Sequence, residues 1–150
     1  MRRTAVVVLF ALLATRAFAT GFGGSDAPPA RIPVPAHEFA ATVMDNSGVK
    51  VDVTQVSYNG EVFVYGRVGE GQVTVPFASM ASVRFEPSTE VNKRIAFIVM
   101  RDGTSVNVVV DDDIPAYGRT AYGTYSITTD KIKVIEFAAG PAHPPVGATP

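Results

Sequence analysis

Between Glu38 and Phe137 apolar and polar positions alternate one by one, a period of two that gives an extended chain one buried and one wet face. Val49, Val51 and Val53 alternate with Lys50, Asp52 and Thr54. Val73 and Val75 alternate with Gln72 and Thr74, Val83 and Phe85 with Ser82 and Arg84, and Val106 and Val108 with Asn107. Arg94–Met100 is more continuously apolar and predicts a strand buried on both faces. β-Branched and aromatic residues dominate these runs, as a pleated surface favours.

Turn chemistry falls between the runs. Asn46-Ser47-Gly48, Asn59-Gly60, Glu70-Gly71, Asp102-Gly103 and Tyr122-Gly123 each separate two of them, and glycine supplies the positive φ that tight hairpins require. Asn59-Gly60 and Asp102-Gly103 are the strongest of these signals. The pattern predicts an all-β fold, a small sandwich or barrel of about ten short antiparallel strands. Helix is nearly absent. Phe39, Ala41 and Val43 fit a strand better than a helix, and only Pro87–Glu90 could open a single helical turn.

An internal repeat organises these strands. VYGRVGEGQVTVPFASMASVRF (Val64–Phe85) lies over AYGRTAYGTYSITTDKIKVIEF (Ala116–Phe137) at a constant offset of 52 residues without a gap. Tyr65/Tyr117, Gly66/Gly118, Arg67/Arg119, Gly71/Gly123 and Phe85/Phe137 are identical, while Val75/Ile127, Met80/Ile132 and Val83/Ile135 stay apolar. Upstream the offset grows by a few residues, so the first copy carries a longer Val53–Val62 connection. Two halves, about 38–86 and 94–137, are expected to close over one core, because neither could bury its own apolar face alone.

The ends of the chain are different in kind. Met1–Ala19 has a cationic start (Arg2, Arg3), an apolar run Ala5–Ala14 and small residues at Ala17 and Ala19, the layout of a secretory signal peptide cut after Ala19. The run is half the roughly 20 residues a membrane span needs, so no span is expected after cleavage. Residues 20–37 and 138–150 hold eight of the 11 prolines and no apolar period, and predict flexible Pro-rich segments flanking a single β domain at 38–137. The address is therefore exported, either periplasmic or extracellular. With no cysteine, stability has to come from burial, although an exported compartment would permit disulfides.

Charge narrows the partners. Loss of Arg2, Arg3 and Arg16 with the signal leaves ten Lys and Arg against 14 Asp and Glu, a net charge of about −4 with the cations scattered. A nucleic-acid binder carries a basic patch, so nucleic acid is excluded as a partner, and adhesion to an anionic membrane surface falls with it.

Candidate chemistry is sparse. Asp111, Asp112 and Asp113, with Asp102 at the far end of the same strand, form a weak candidate for a hard cation such as calcium. Consecutive residues of an extended chain point in alternating directions, however, and the spaced acids of a calcium loop are missing. No metal and no cofactor is expected. The repeated Tyr-Gly-Arg offers a ligand-binding set, Tyr65, Arg67, Tyr117 and Arg119, to which the second copy adds Tyr122. Arginine would pair with a carboxylate and tyrosine stack on a sugar or peptide. The competing reading is structural: tyrosine and arginine two apart share a strand face, and the glycine between them relieves crowding.

No catalytic residue is assigned. There is no G-x-S-x-G elbow and no cysteine nucleophile, and the two histidines, His37 and His143, lie in or beside the flexible ends. Paired carboxylates drawn from Glu38, Glu61, Glu70, Glu86 and Glu136 would be needed for a hydrolase. The sequence thus points to an exported non-enzymatic β domain that meets an envelope protein partner or itself. A small-ligand or carbohydrate module and a carboxylate hydrolase are the alternatives.

Overall fold

A computed structural model describes residues 32–139, and the predicted signal peptide lies outside the described residues. The alternating runs form ten antiparallel strands: β1 (Ala41–Asp45), β2 (Lys50–Tyr58), β3 (Phe63–Val68), β4 (Gly71–Pro76), β5 (Met80–Pro87), β6 (Lys93–Met100), β7 (Ser105–Asp111), β8 (Pro115–Thr120), β9 (Gly123–Thr128) and β10 (Ile132–Phe137). Among the described residues there is no α-helix, only 3-10 turns at Phe77–Ser79 and Thr129–Lys131. Both are entered from extended backbone, at Pro76 and at Thr128. The helical turn expected at Pro87–Glu90 does not form, since β5 runs on to Pro87 in ladder with Arg94.

The strands make one continuous sheet in the order β4-β3-β7-β6-β5-β10-β1-β2-β8-β9, curled into a half-barrel. It is neither the two stacked sheets of a sandwich nor a closed cylinder, because ladders run unbroken through the β5–β10 seam and leave β4 and β9 as outer strands. At that seam Val83 lies opposite Ile135, residues 52 apart in sequence. Read outward from the seam, each step meets strands five apart in number: β5 and β10, β6 and β1, β7 and β2, β3 and β8, β4 and β9.

Two sequence expectations change in detail. Asn59-Gly60 closes no hairpin: β2 and β3 share no ladder beyond the single Tyr58–Glu61 bridge, and the turn carries the chain from one half of the sheet to the other. β6 keeps a one-sided alternation, with Ala96 and Ile98 buried while Ile95, Phe97 and Val99 stay half-exposed. Its outer face is covered in part by the Arg84 guanidinium, 5.0 Å from the Phe97 ring centre.

The core fills the concave side. Val43, Val64, Phe77, Met80, Val83, Ile98, Val108, Val110, Ile132 and Ile135 are all buried to within 2 % of completely. Each such side chain contributes about 1.5–3 kcal/mol relative to exposure. Phe77 packs on Phe137 at 4.6 Å between ring centres, and Tyr58 stacks on Phe85 at 6.3 Å. The Tyr58 hydroxyl is buried with the strands and must be satisfied there. Thr129 Oγ1 gives its only proton to the Ile114 carbonyl at 2.8 Å, so Tyr58 donates to Thr129 Oγ1 at 3.0 Å. Upstream of β1, Ile32 and Pro35 are also buried.

Candidate functional site

The repeated glycine of Tyr-Gly-Arg has a packing explanation at the two corners of the sheet. A Cβ on Gly66 would lie 2.3 Å from the Val109 carbonyl oxygen and 2.6 Å from Val108 Cγ1; on Gly118 it would lie 2.7 Å from Val53 Cβ. β3 thereby crosses β7 closely, with Arg67 opposite Val109, and β8 crosses β2 with Arg119 opposite Thr54. Only glycine admits these approaches.

The two arginines have partners of different kinds, a glutamate for Arg67 and a glutamine for Arg119. Arg67 forks onto Glu90 with both oxygens 2.7 Å from Nη2, and also donates to the Gly69 carbonyl. Arg119 donates to Gln55 at 2.8 Å, and Gln55 in turn donates to Glu38 at 2.7 Å. Gln55 is held at φ 50° inside the β2 bulge between Thr54 and Ser57. Glu90 and Gln55 as arginine partners were not legible in the sequence, since each lies in a loop or bulge outside the aligned strands.

The five proposed ligand residues do not gather at one place. Tyr65 and Arg67 border a groove of about 430 Å³ with Lys93 and Asp111, where each cation already has a carboxylate partner. The Asp111 carboxylate accepts from Lys93 and holds its ammonium above the ordinary value. Arg119 borders a different groove of about 730 Å³, beside Asp52 and Glu136. Tyr117 and Tyr122 line neither, and Tyr122 stands 86 % exposed at the tip of the β8–β9 hairpin.

Asp111, Asp112 and Asp113 border one groove with Asn92 and Lys93, yet each is engaged differently. Asp111 faces Lys93, Asp112 uses its backbone to bond Asn92 and Asp130, and Asp113 is exposed. Asp102 caps its own turn through Thr104, whose hydroxyl and backbone N–H hold the carboxyl below its usual range. Among the described residues no three His, Cys, Asp or Glu stand close enough to hold a metal ion. Of the candidate glutamates, Glu38 meets Gln55 and Glu86 meets Arg84.

Among the described residues, what remains open to a partner is the pair of outer strands. In an antiparallel ladder alternate residues bond to the neighbour and the rest point their N–H and C=O outward. The Thr129 N–H bonds to the Ile114 carbonyl, which continues the β8–β9 register and leaves Thr124, Ser126 and Thr128 as the outward residues of β9. The Phe77 N–H bonds to Val62 in the same way, so β4 directs Gln72, Thr74 and Pro76 outward. The two edges differ in one residue of consequence: where β9 directs Thr128 outward, β4 directs Pro76, which has no N–H to give. Proline and charged side chains are the usual guards of a sheet edge, and β9 (GTYSIT) has neither. No described helix is long and apolar enough to cross a membrane.

A family model described as "Uncharacterised protein" matches residues 35–140. No curated protein and no solved structure matches the chain.

Proposed function

We infer that this chain, which belongs to the family matched over residues 35–140, is an exported non-enzymatic β domain that works by docking or assembly in the cell envelope. The observation that carries the reading is the unguarded β9 edge: a row of backbone donors and acceptors on Thr124, Ser126 and Thr128, unpaired among the described residues, with no proline, lysine or acid among them. Strand addition to such an edge takes its affinity from main-chain hydrogen bonds and its specificity from the alternating side chains. Export rests on the signal-peptide pattern of Met1–Ala19.

The reading includes a two-copy origin for the domain. The gapless offset, the seam pairing of Val83 with Ile135 and the corner glycines Gly66 and Gly118 all support it. Duplication then gave the sheet two equivalent ends, of which Pro76 closes one and Thr128 leaves the other available.

A photocrosslinking amino acid placed in living cells at Thr124 or Ser126, with Lys133 on an internal strand as control, tests the docking role. Adducts confined to the β9 positions are the expected result. Equal labelling at all three positions, or none, would overturn it. Recovery of the full-length chain from the cytoplasm, with Met1–Ala19 still attached, would remove the export half of the reading.

A further inference from the structure

We propose that the occupant of the β9 edge is the β9 edge of a second copy of this chain, joined antiparallel about a two-fold axis at Ser126. The proposal rests on the edge reading above and adds the identity of the partner. Its ground is that the strand is complementary to itself in this one register.

The outward residues fix the register. Edge-to-edge antiparallel pairing sets outward residues opposite outward residues. Centred on Ser126, it places Ser126 against Ser126 of the second copy and Thr124 against Thr128. Each hydrogen-bonded pair exchanges two bonds, so three pairs supply about six. Between them Tyr125 falls opposite Ile127. Tyr125 and Ile127 pack on the core from the concave face, and Thr124, Ser126 and Thr128 share the other. The threonine–threonine and aromatic–β-branched pairs are of favoured kinds, and the central pair sets serine against serine.

Charge does not oppose the join, for no ionisable group other than the Tyr125 phenol sits on β9. A two-fold contact of this kind is isologous and closes as a dimer. The alternative of β4 meeting β9 of the next copy would be head-to-tail and open-ended, and Pro76 removes one of its outward donors. The product is a continuous sheet in which the β9 edges are consumed and the proline-guarded β4 edges face outward.

The repeat supplies its own probe. Thr128→Pro writes the residue of β4 into the same position of β9. The backbone there already suits proline, with φ −84° and ψ 152° at Thr128 against −75° and 144° at Pro76. The Thr128 N–H makes no bond to β8, so the fold is expected to persist, which circular dichroism checks. In sedimentation equilibrium the exported chain is expected to form dimers, and Thr128→Pro to weaken them about 10- to 100-fold through the loss of two intermolecular hydrogen bonds.

An independent readout uses the absence of cysteine from the chain. Ser126→Cys is expected to join into dimers with a short bis-maleimide, and Thr74→Cys on β4 is expected not to. A chain that stays monomeric up to about millimolar concentration overturns the proposal. So does a dimer that Thr128→Pro leaves unchanged, or one that crosslinks through Thr74→Cys instead. A monomer whose β9 positions still crosslink to another protein in cells rejects the second copy but leaves the docking edge standing. A monomer with no β9 adducts rejects both.

Discussion

Gly66→Ala tests whether the repeated Tyr-Gly-Arg is kept for packing. The added methyl would meet the Val109 carbonyl oxygen at 2.3 Å and Val108 Cγ1 at 2.6 Å. Carbon and oxygen approach comfortably only to about 3.3 Å, so β3 would have to withdraw by about 1 Å from β7. Its contact there is narrow, a single registered pair between Arg67 and Val109, and the withdrawal would break it. Overpacking of this kind costs about 1–3 kcal/mol or more, against a gain of about 0.4–1 kcal/mol from the stiffer unfolded chain. The net expectation is a loss of about 2 kcal/mol. With a urea m-value of about 1–3 kcal/mol/M, the unfolding midpoint should fall by about 1 M. Gly118→Ala, pressed against Val53 Cβ at 2.7 Å, should behave alike. Gly71→Ala is the internal control, since its nearest neighbour, the Val68 carbonyl oxygen, is 3.6 Å away and its φ is not positive; it should be neutral or slightly stabilising. Urea curves in which Gly66→Ala lies within about 0.5 kcal/mol of the parent would refute the packing argument and return the motif to functional candidacy.

Other expectations follow from the buried and charged groups. Burial pushes the Tyr58 phenol above its ordinary value of 10.0. The folded state then holds the proton more tightly than the unfolded one, so stability should fall as pH rises past about 10, and Tyr58→Phe should remove that slope in alkaline melting curves. Thr129→Val leaves the Tyr58 hydroxyl unpaired and should cost about 1–3 kcal/mol by urea unfolding, whereas the double variant with Tyr58→Phe should recover most of the loss. Asp45 and Asp102 are held below their ordinary value of 3.8 by the hydroxyls of Ser47 and Thr104. Their contribution is therefore present at neutral pH and lost as pH drops below about 4, and the paired Asn variants should flatten the acid limb of the stability profile. Arg67→Ala removes a half-exposed ion pair with Glu90 and should cost no more than about 1 kcal/mol, shrinking in high salt.

Much of the fold could be seen in local pattern. The period of two marked the strands, and Gly48 and Gly103 marked turns, because alternation and positive φ are decided within a few residues. The Tyr-Gly-Arg motif was visible, but the choice between packing and binding was not. That choice depends on which strand crosses at the glycine. The arginine partners Glu90 and Gln55 were hidden for the same reason: a loop and a bulge have no periodicity to betray which way they face.

By itself the chain determined which side of each strand is apolar and that GTYSIT contains no guard. Tertiary structure alone decided neighbours. It interleaved β6 and β7 with β3 and β5, made Asn59-Gly60 a corner instead of a hairpin, and put GTYSIT at an outer edge. Alternation says that a strand has an inside, but along its hydrogen-bonding sides every residue other than proline offers the same N–H and C=O. Which ladder those sides join is settled only when all ten apolar faces compete for one core.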